Sequence, residues 1–340
     1  MRPFQYSRPE TVREAVSLAD VGRGAAVSSP AAFLAGGTTL VDLMKLDVMR
    51  PQALVDVKGL AEQEPDMRGV QASERGLRIG ALAPMAMVAD DETVKRDYPA
   101  LSQSLLLAAS AQLRNMATLG GNLLQRTRCP YFRDTSWDAC NKREPGSGCS
   151  ALGGVNRLHA VLGVSQHCIA SYPGDFAQAL VALDGAVETV GPRGRRRIEA
   201  ARLHRLPGDA PEIETVLDPG ELITAITVPA KPWARRSLYL KVRDRESYAF
   251  ALASAAVALD LDGDTVRDAR VALGGVAAIP WRAYEAEEVL RGQRFDEDLA
   301  RKAASAAFER ARPSGDNAFK VKLGQETLVR ALIQAAEMEG

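Results

Sequence analysis

The segment Ala31-Ala32-Phe33-Leu34-Ala35-Gly36-Gly37-Thr38-Thr39-Leu40 joins an apolar run to a glycine pair and two hydroxyl side chains. The apolar run predicts a strand, and the helical spacing of Leu40, Leu43 and Met44 predicts a helix directly after the glycines. A second strand is predicted at residues 53–57. This order of elements is typical of a phosphate-binding unit, because glycine lets the backbone approach the anion and the N–H groups at the helix start point at it.

A second glycine-rich loop offers similar chemistry. The segment Thr118-Leu119-Gly120-Gly121-Asn122 follows a predicted apolar helix at residues 101–113 and presents hydroxyl, backbone and amide groups to an oxygen-rich ligand. Each glycine pair alone is also compatible with an ordinary tight turn, and the dinucleotide-binding pattern GxGxxG is absent. The recurrence of the loop favours a bound phosphate-containing ligand.

The chain has four cysteines, and all of them lie within forty residues after the second loop. Their positions are Cys129, Cys140, Cys149 and Cys168. Separations of ten, eight and eighteen residues are wider than the CxxC pairs of common structural zinc sites. Four thiolates are the standard ligand set of an iron–sulfur cluster. Zinc stays open, with His159 or His167 replacing a thiolate, as do two disulfides or unligated thiols.

Composition disfavours several classes of function. The 43 basic and 43 acidic residues balance, so no overall charge attracts nucleic acid or anionic lipid, and the basic run at residues 193–197 is interpreted as a solvated hairpin turn. No secretory signal and no membrane span are expected. No general base, nucleophile or carboxylate pair stands out, and His204 is interpreted as a surface residue, so we assign no catalytic residue and expect cofactors to supply the chemistry.

Other patterns predict secondary structure. Ser7 and Glu10 form a possible capping box for a helix with one apolar face. That face consists of Val12, Ala15, Val16 and Ala19. A strand is predicted at residues 222–228, and the last third is predicted to contain strands at 237–242, 249–259 and 269–275, then helices at 283–290, 298–312 and 325–336.

The two glycine loops resemble the paired FAD-binding loops of the flavoprotein subunits of molybdenum hydroxylases, the xanthine dehydrogenase and aldehyde oxidoreductase family. The resemblance extends over nearly the whole chain. It implies a mixed α/β fold of the α+β class, with a two-part FAD-binding domain of the vanillyl-alcohol oxidase and CO dehydrogenase flavoprotein type and a C-terminal α+β domain. The implied boundaries are 1–58 and 59–229 for the two FAD-binding subdomains and 233–340 for the CO dehydrogenase flavoprotein-like domain.

The resemblance also implies roles for individual residues. The insertion at residues 125–168 is similar to that of the subclass with a [4Fe–4S] cluster in the flavin subunit, closest to bacterial periplasmic aldehyde oxidoreductases, with the four cysteines as ligands. The implied FAD contacts are Leu34, Ala35, Gly36, Gly37, Thr38, Thr39, Leu40, Ala117, Thr118, Gly121, Asn122, Asp175, Leu222 and Lys241. Asp175 is expected to bind flavin hydroxyls, and Lys241 to stabilise the reduced ring. An exposed strand lysine is the competing interpretation of Lys241.

By the same resemblance, the chain is an electron-transfer subunit of a molybdenum-dependent aldehyde oxidoreductase, which converts aldehydes to carboxylic acids. A large partner with the molybdenum cofactor and a small partner with [2Fe–2S] clusters are expected to complete a heterotrimer, in which electrons pass through FAD to an external acceptor. The alternatives are the flavin subunit of a 4-hydroxybenzoyl-CoA reductase or xanthine dehydrogenase-like enzyme, a stand-alone flavoprotein oxidoreductase, and a non-enzymatic zinc-containing subunit. The compartment is either the periplasm, by co-export with a signal-bearing partner, or the cytoplasm.

Overall fold

The computed structural model of the chain describes residues 1–20 and 27–338. Within these ranges the backbone forms three sheets, one parallel and two antiparallel, with helices packed against them. This mixed α/β architecture, with an α+β arrangement in the C-terminal part, confirms the predicted fold class. In the same ranges no helix combines the length and the apolar character that crossing a bilayer requires.

The N-terminal part contains three strands and three short helices. In chain order they are β1 (Gln5–Ser7), α1 (Val12–Ala19), β2 (Ala31–Leu34), α2 (Leu40–Lys45), β3 (Ala53–Asp56) and α3 (Leu60–Gln63), followed by a 3-10 turn at Pro65–Met67. The strands form a parallel sheet in the order β1-β3-β2. The glycine turn between β2 and α2 therefore lies at the carboxyl end of this sheet, as the strand, turn, helix and strand pattern predicts.

Helix α1 buries the apolar face predicted for it, but its start differs from the prediction. Ser7 ends strand β1, and the N-cap is Thr11, whose side chain accepts a hydrogen bond from the Glu14 N–H. The Glu14 carboxylate in turn accepts a hydrogen bond from the Glu10 N–H. The helix cap is therefore shifted along the chain, because Ser7 pairs with β3 instead of starting the helix, and the reciprocal bond of a capping box to the Thr11 N–H is not formed.

The middle part carries the second sheet and most of the helices. In chain order they are β4 (Val70–Ser73), β5 (Gly76–Gly80), α4 (Met85–Asp90), α5 (Glu92–Asp97), α6 (Pro99–Leu106), α7 (Ala111–Met116), α8 (Leu119–Leu123), α9 (Pro130–Arg133), α10 (Ser150–Gly153), α11 (Phe176–Ala182), β6 (Ala186–Gly191), β7 (Gly194–Glu199), α12 (Ala200–Leu203) and β8 (Leu222–Pro229). The strands form an antiparallel sheet in the order β4-β5-β8-β6-β7. The basic run forms part of the β6–β7 hairpin, as predicted.

The helix predicted at residues 101–113 is wrong as a single element. Helix α6 ends at Leu106, and α7 begins at Ala111. Between them Ala109 adopts a positive φ of 50°, and the Ser110 side chain caps α7 by accepting a hydrogen bond from the Leu113 N–H. A serine cap starts a new helix here, although the apolar pattern runs on without interruption.

The C-terminal part packs three helices on a four-stranded antiparallel sheet. After a 3-10 turn at Pro232–Arg235, its elements are β9 (Ser237–Val242), β10 (Ala253–Asp262), β11 (Thr265–Gly274), β12 (Trp281–Arg282), α13 (Tyr284–Leu290), α14 (Glu297–Ala307), a 3-10 turn at Gly315–Asn317 and α15 (Phe319–Ala336). The strand order is β12-β11-β10-β9. Every predicted element is present, but α14 ends five residues earlier than predicted and α15 begins six residues earlier, at Phe319.

The C-terminal sheet is buried on both faces, and this burial joins the parts of the molecule. On strand β10, Ala256 and Ala258 belong to the core of the middle part, whereas Ala255, Val257 and Leu259 pack with helices α13 to α15. Alternate side chains of a strand point to opposite faces, so small apolar residues on both sides let the sheet lie between two layers. One face of the sheet therefore completes the core of the middle part, and the other face forms a separate core with α13 to α15.

Candidate cofactor sites

A cleft of about 1000 Å³, its open mouth included, lies where the β2–α2 turn meets α8 and the start of β8. Both glycine loops line this cleft, although they are far apart in the sequence. The predicted FAD contacts that line it are Ala35, Gly36, Gly37, Thr38, Thr39, Leu40, Thr118, Gly121 and Leu222. The fold therefore brings both loops to the same cleft.

The two loops touch through their backbones, and glycine permits this contact. A Cβ atom on Gly36 would lie 2.0 Å from the carbonyl oxygen of Met116, just before the second loop. Gly37 has a φ of 74°, a left-handed conformation that other residues rarely adopt, and its carbonyl accepts the first backbone hydrogen bond of the turn, from Val41. The sequence therefore places glycine where the chain turns sharply and where the loops meet.

Polar groups of the loops are arranged at the cleft. Thr118 caps α8, and its hydroxyl is 3.4 Å from the Gly121 N–H. Thr39 makes no side-chain capping bond to α2, so its hydroxyl is not used by the helix start. Glu221 also lines the cleft, but Arg196 and Thr189 hold its carboxylate, and together with a backbone N–H they lower its pKa despite burial. The loops thus present hydroxyl and N–H groups to a ligand.

Five of the predicted FAD contacts do not line the cleft. Leu34, Ala117 and Asn122 directly adjoin lining residues in the chain. Asp175 and Lys241 instead form a buried ion pair, in which the lysine Nζ is 2.8 Å from Asp175 Oδ2 and 3.0 Å from the Leu107 carbonyl oxygen.

The Asp175–Lys241 pair is completed by a third side chain. The Tyr239 hydroxyl donates to Asp175 Oδ1 at 2.6 Å, and burial raises the pKa of Asp175 despite both partners. The Lys241 side chain is only 1% exposed, so the interpretation of an exposed strand lysine is wrong. The pair holds β9 against the start of α11, and the structure does not bring either side chain into the cleft.

All four cysteines line one small cavity, although eight to eighteen residues separate each from the next in the chain. None of them is paired in a disulfide, so the disulfide interpretation is wrong. Burial raises the pKa of Cys129 to about 12 and that of Cys168 to about 11. Across residues 1–20 and 27–338, no group of three or more His, Cys, Asp or Glu side chains is close enough to hold a metal ion as it stands.

The three histidines occupy different environments. His159 is buried with its Nε2 3.1 Å from Cys129 Sγ, and desolvation lowers its pKa to about 4. His167 faces Asp209 at 3.5 Å and is half-exposed. His204 contradicts the surface interpretation, because its Nε2 lies 2.9 Å from the Leu123 carbonyl oxygen, its ring contacts Tyr172 edge-on, and burial lowers its pKa to about 4.

The structure adds cleft residues that the sequence analysis missed. The apolar additions are Ala32, Phe33, Met49, Val57, Ala81, Leu82, Leu124 and Ile223. The charged additions are Glu221 and Arg126, the second residue of the cysteine-containing insertion. Ala32, Phe33, Val57 and Ile223 lie in strands that the sequence predicts, whereas the other four lie outside every predicted strand and carried no signal. A single arginine among the many in this chain carries no pattern that would have identified it.

Comparisons with known proteins agree with this geometry. Residues 2–231 match the FAD binding domain in molybdopterin dehydrogenase, and residues 238–335 match the CO dehydrogenase flavoprotein C-terminal domain. The chain is 47% identical to the aldehyde oxidoreductase FAD-binding subunit PaoB of Escherichia coli (strain K12), over 98% of this chain and 99% of the relative. It is 27% identical to the carbon monoxide dehydrogenase medium chain of Afipia carboxidovorans, over 98% of this chain and 96% of that chain.

A solved structure supports the same assignment. The carbon monoxide dehydrogenase from Hydrogenophaga pseudoflava superposes on this chain with a TM-score of 0.74 at 26% identity, covering 98% of this chain and 97% of that chain. The two family matches together cover nearly the whole chain, and the superposed structure covers it as well. The chain therefore belongs to the FAD-binding subunits of the molybdenum hydroxylases, a family of multi-subunit oxidoreductases.

Proposed function

We propose that this chain is the FAD- and [4Fe–4S]-containing electron-transfer subunit of a molybdenum-dependent aldehyde oxidoreductase, which converts aldehydes to carboxylic acids. The observation that carries the proposal is the 47% identity, over nearly both full lengths, to the FAD-binding subunit of an aldehyde oxidoreductase. The relatives named for carbon monoxide, at 27% or less, are clearly more distant. Identity of this size over a whole chain favours a shared substrate class over a merely shared fold.

The cleft supports FAD as the cofactor of this chain. The Gly36–Gly37 turn lets the backbone approach a phosphate, and the hydroxyls of Thr38, Thr39 and Thr118 are placed to bind oxygen-rich groups. Leu222 and Ile223 supply apolar lining to the same cleft. When bound, FAD exchanges electrons either in pairs or singly, which suits a position between one-electron and two-electron partners.

The cysteine cavity supports a polynuclear cluster over a single zinc ion. The four thiols line one cavity. A cluster is larger than an ion and suits more widely placed ligands, and four thiols are its usual set. Bound iron must displace the thiol protons, because only thiolates coordinate metals. A [4Fe–4S] cluster, when present, exchanges single electrons.

The absence of a catalytic pair in the cleft supports partner subunits as the site of aldehyde oxidation. Among the described cleft residues the only carboxylate is that of Glu221, and Arg196 holds it. We therefore place the aldehyde and the molybdenum cofactor on a large partner, and [2Fe–2S] clusters on a small partner, in a heterotrimer. Electrons then pass from these clusters through this subunit to an external acceptor. Export to the periplasm with a signal-bearing partner, or retention in the cytoplasm, stays a prediction.

The proposal is tested by co-expression of the chain with its partners and anaerobic purification of the complex. We compare the wild type with Cys168→Ser and with Ser136→Ala, a control on an exposed part of the same insertion. Cys168→Ser should lose about four iron and four sulfide per complex and one dithionite-reduced paramagnetic signal, whereas Ser136→Ala should lose neither. Equal iron in both variants, or zinc in place of iron, contradicts the cluster.

The substrate class is tested separately in the same complex. Adding an aldehyde under anaerobic conditions should bleach the flavin absorbance of the wild type and release the carboxylic acid. Bleaching by xanthine or by a reduced electron donor, with no response to any aldehyde, would instead favour the xanthine dehydrogenase-like or reductase alternatives. Bleaching in the isolated chain, without any partner, would favour a stand-alone flavoprotein.

A further inference from the structure

We propose that Arg126 binds the pyrophosphate of FAD, and that Glu214 holds its guanidinium in place for that contact. Arg126 lines the cleft, and its side chain is only 7% exposed. Within residues 1–20 and 27–338, neither Nη1 nor Nη2 of this guanidinium has a hydrogen-bond partner. Buried guanidinium nitrogens without partners are costly, so they indicate a ligand that supplies the acceptors. The inference rests on the assignment of this cleft to FAD.

The charges around Arg126 leave one positive charge uncompensated. Arg126 forms an ion pair with Glu214, and the Lys142 Nζ donates to the other carboxylate oxygen of Glu214 at 2.8 Å. Burial opposes ionisation of Glu214, but Arg126 and Lys142 hold its pKa below the usual range. One carboxylate thus faces two cations, and the group carries a net positive charge. Such a charge in a buried place is stable only beside an anion.

The rest of the cleft does not supply that anion. Among the described residues that line it, Glu221 is the only other charged side chain, and its carboxylate is held by Arg196 and Thr189. Nearby His204, which faces the Leu123 carbonyl, is kept neutral by its lowered pKa. The compensating negative charge is therefore expected from the ligand.

The pyrophosphate is the part of FAD that matches these properties. It carries the permanent negative charge of the molecule, whereas the oxidised flavin ring and the adenine are neutral. A guanidinium presents two parallel N–H groups, which fit two oxygens of a phosphate. Arg126 opens on the same cleft as the backbone of Gly36 and Gly37, where a phosphate can approach closely.

The guanidinium is also held rigidly before any ligand arrives. Its Cζ lies 5.1 Å from the centre of the Phe132 ring, in cation–π contact, and Glu214 fixes its other edge. A side chain already held in its binding conformation loses little entropy on binding. Lys142, which donates a hydrogen bond to Glu214, also lines the cysteine cavity. The Glu214 carboxylate therefore contacts one residue of each cofactor site. Glu214 is therefore a positioning residue, and Arg126 is the residue in contact with the ligand.

The test uses the full chain with its FAD removed and then added back. FAD affinity is measured by fluorescence for the wild type, Arg126→Met and Arg126→Lys. ADP, which carries the pyrophosphate without the flavin, is measured as a competitor. Arg126→Met should raise the Kd of FAD about 10- to 100-fold and the inhibition constant of ADP by the same factor. Arg126→Lys should lie between the wild type and Arg126→Met, because it keeps the charge but loses the two-point contact.

Arg282→Met is the matched control. Arg282 is similarly buried and also pairs with carboxylates, those of Glu287 and Asp184, but it does not line the cleft. It should leave the Kd of FAD within about twofold of the wild type. Arg126→Met should also remove most of the rise in melting temperature that FAD gives the wild type, while changing the melting temperature of the FAD-free chain less than Arg282→Met does.

Three results overturn the proposal. An unchanged FAD affinity in Arg126→Met means that the arginine makes no contact with the ligand. A weaker FAD affinity with unchanged ADP inhibition places the contact at the flavin instead of the pyrophosphate. A fall in the melting temperature of the FAD-free chain, with the Kd unchanged, assigns Arg126 a purely structural role. A wild-type chain that binds no FAD at all contradicts the proposed function itself, which separates that failure from the other three.

Discussion

Gly36 is the position where the contact between the two FAD loops is most sensitive to an added atom. In Gly36→Ala, the new Cβ would lie 2.0 Å from Met116 O, 2.8 Å from Met116 C and 3.0 Å from the Cα of Ala117. All three are backbone atoms, so no side-chain rotation can relieve the overlap. The loops must separate by about 1 Å before the contact becomes acceptable.

The size of the effect follows from this separation. Overpacking of a well-packed site costs about 1–3 kcal/mol. Because both loops line the cleft, we expect most of this cost to appear as weaker FAD binding, a Kd raised about 5- to 150-fold. The remaining cost should appear as a lower melting temperature of the FAD-free chain.

The assay is a fluorescence titration of FAD against the FAD-free full chain, with thermal unfolding measured in parallel. Gly69→Ala is the control, because the nearest atoms to its added Cβ are at 3.8 and 4.0 Å and its backbone conformation is open to alanine. Gly69→Ala should bind FAD like the wild type. If Gly36→Ala binds FAD as tightly as Gly69→Ala does, the loops do not need their close contact, and our account of the cleft is refuted.

Three further predictions concern buried ionisable groups. Lys241→Met should lower the free energy of unfolding by about 3–5 kcal/mol, because Asp175 is left buried without its cation, and Asp175→Asn in the same chain should recover part of the loss in urea unfolding. Burial lowers the pKa of Lys320 to about 7, so the unfolded chain binds more protons between pH 7 and 10.5. The unfolding free energy of the wild type minus that of Lys320→Met should therefore become more positive as the pH rises from 7 to 10. A difference that stays constant with pH would contradict the burial argument. The pKa of His204 is lowered to about 4, so its unfolded form binds more protons between pH 4 and 6.5, and stability should fall by up to about 3 kcal/mol as the pH drops through this range. His204→Gln should lose that dependence in urea melts at pH 4.5 and 7, and an unchanged slope would mean that this histidine is not the group responsible.

Local patterns predicted the secondary structure well where neighbouring residues decide it. The apolar face of α1 and the β6–β7 hairpin were correct because periodicity and turn residues act over a few positions. The errors were in boundaries. Ser7 was predicted as a cap but pairs with β3, and the break at Ser110 was missed because the apolar pattern continues through it. A boundary depends on competition with other elements, which a local pattern does not contain.

The residues of the candidate sites were likewise predictable from the sequence only where local requirements decide them. The glycine loops were identified from the sequence because a backbone that turns sharply or approaches a ligand requires glycine at particular positions. The cysteines were grouped by their proximity in the chain. The flavin roles of Asp175 and Lys241 come from the resemblance and stay predictions, and only the structure shows that the two side chains are paired with each other.

Residue types and backbone requirements within short segments were enough to predict the class of ligand, the family and the set of four cysteines. Which charged side chains meet could not be predicted in this way. Arg126 and Glu214 lie far apart in the chain, and whether a buried charge is compensated depends on which elements the fold brings together. An uncompensated charge is costly in free energy only when it is buried, and burial is a property of the whole fold. The free guanidinium nitrogens in the cleft are therefore visible only in three dimensions.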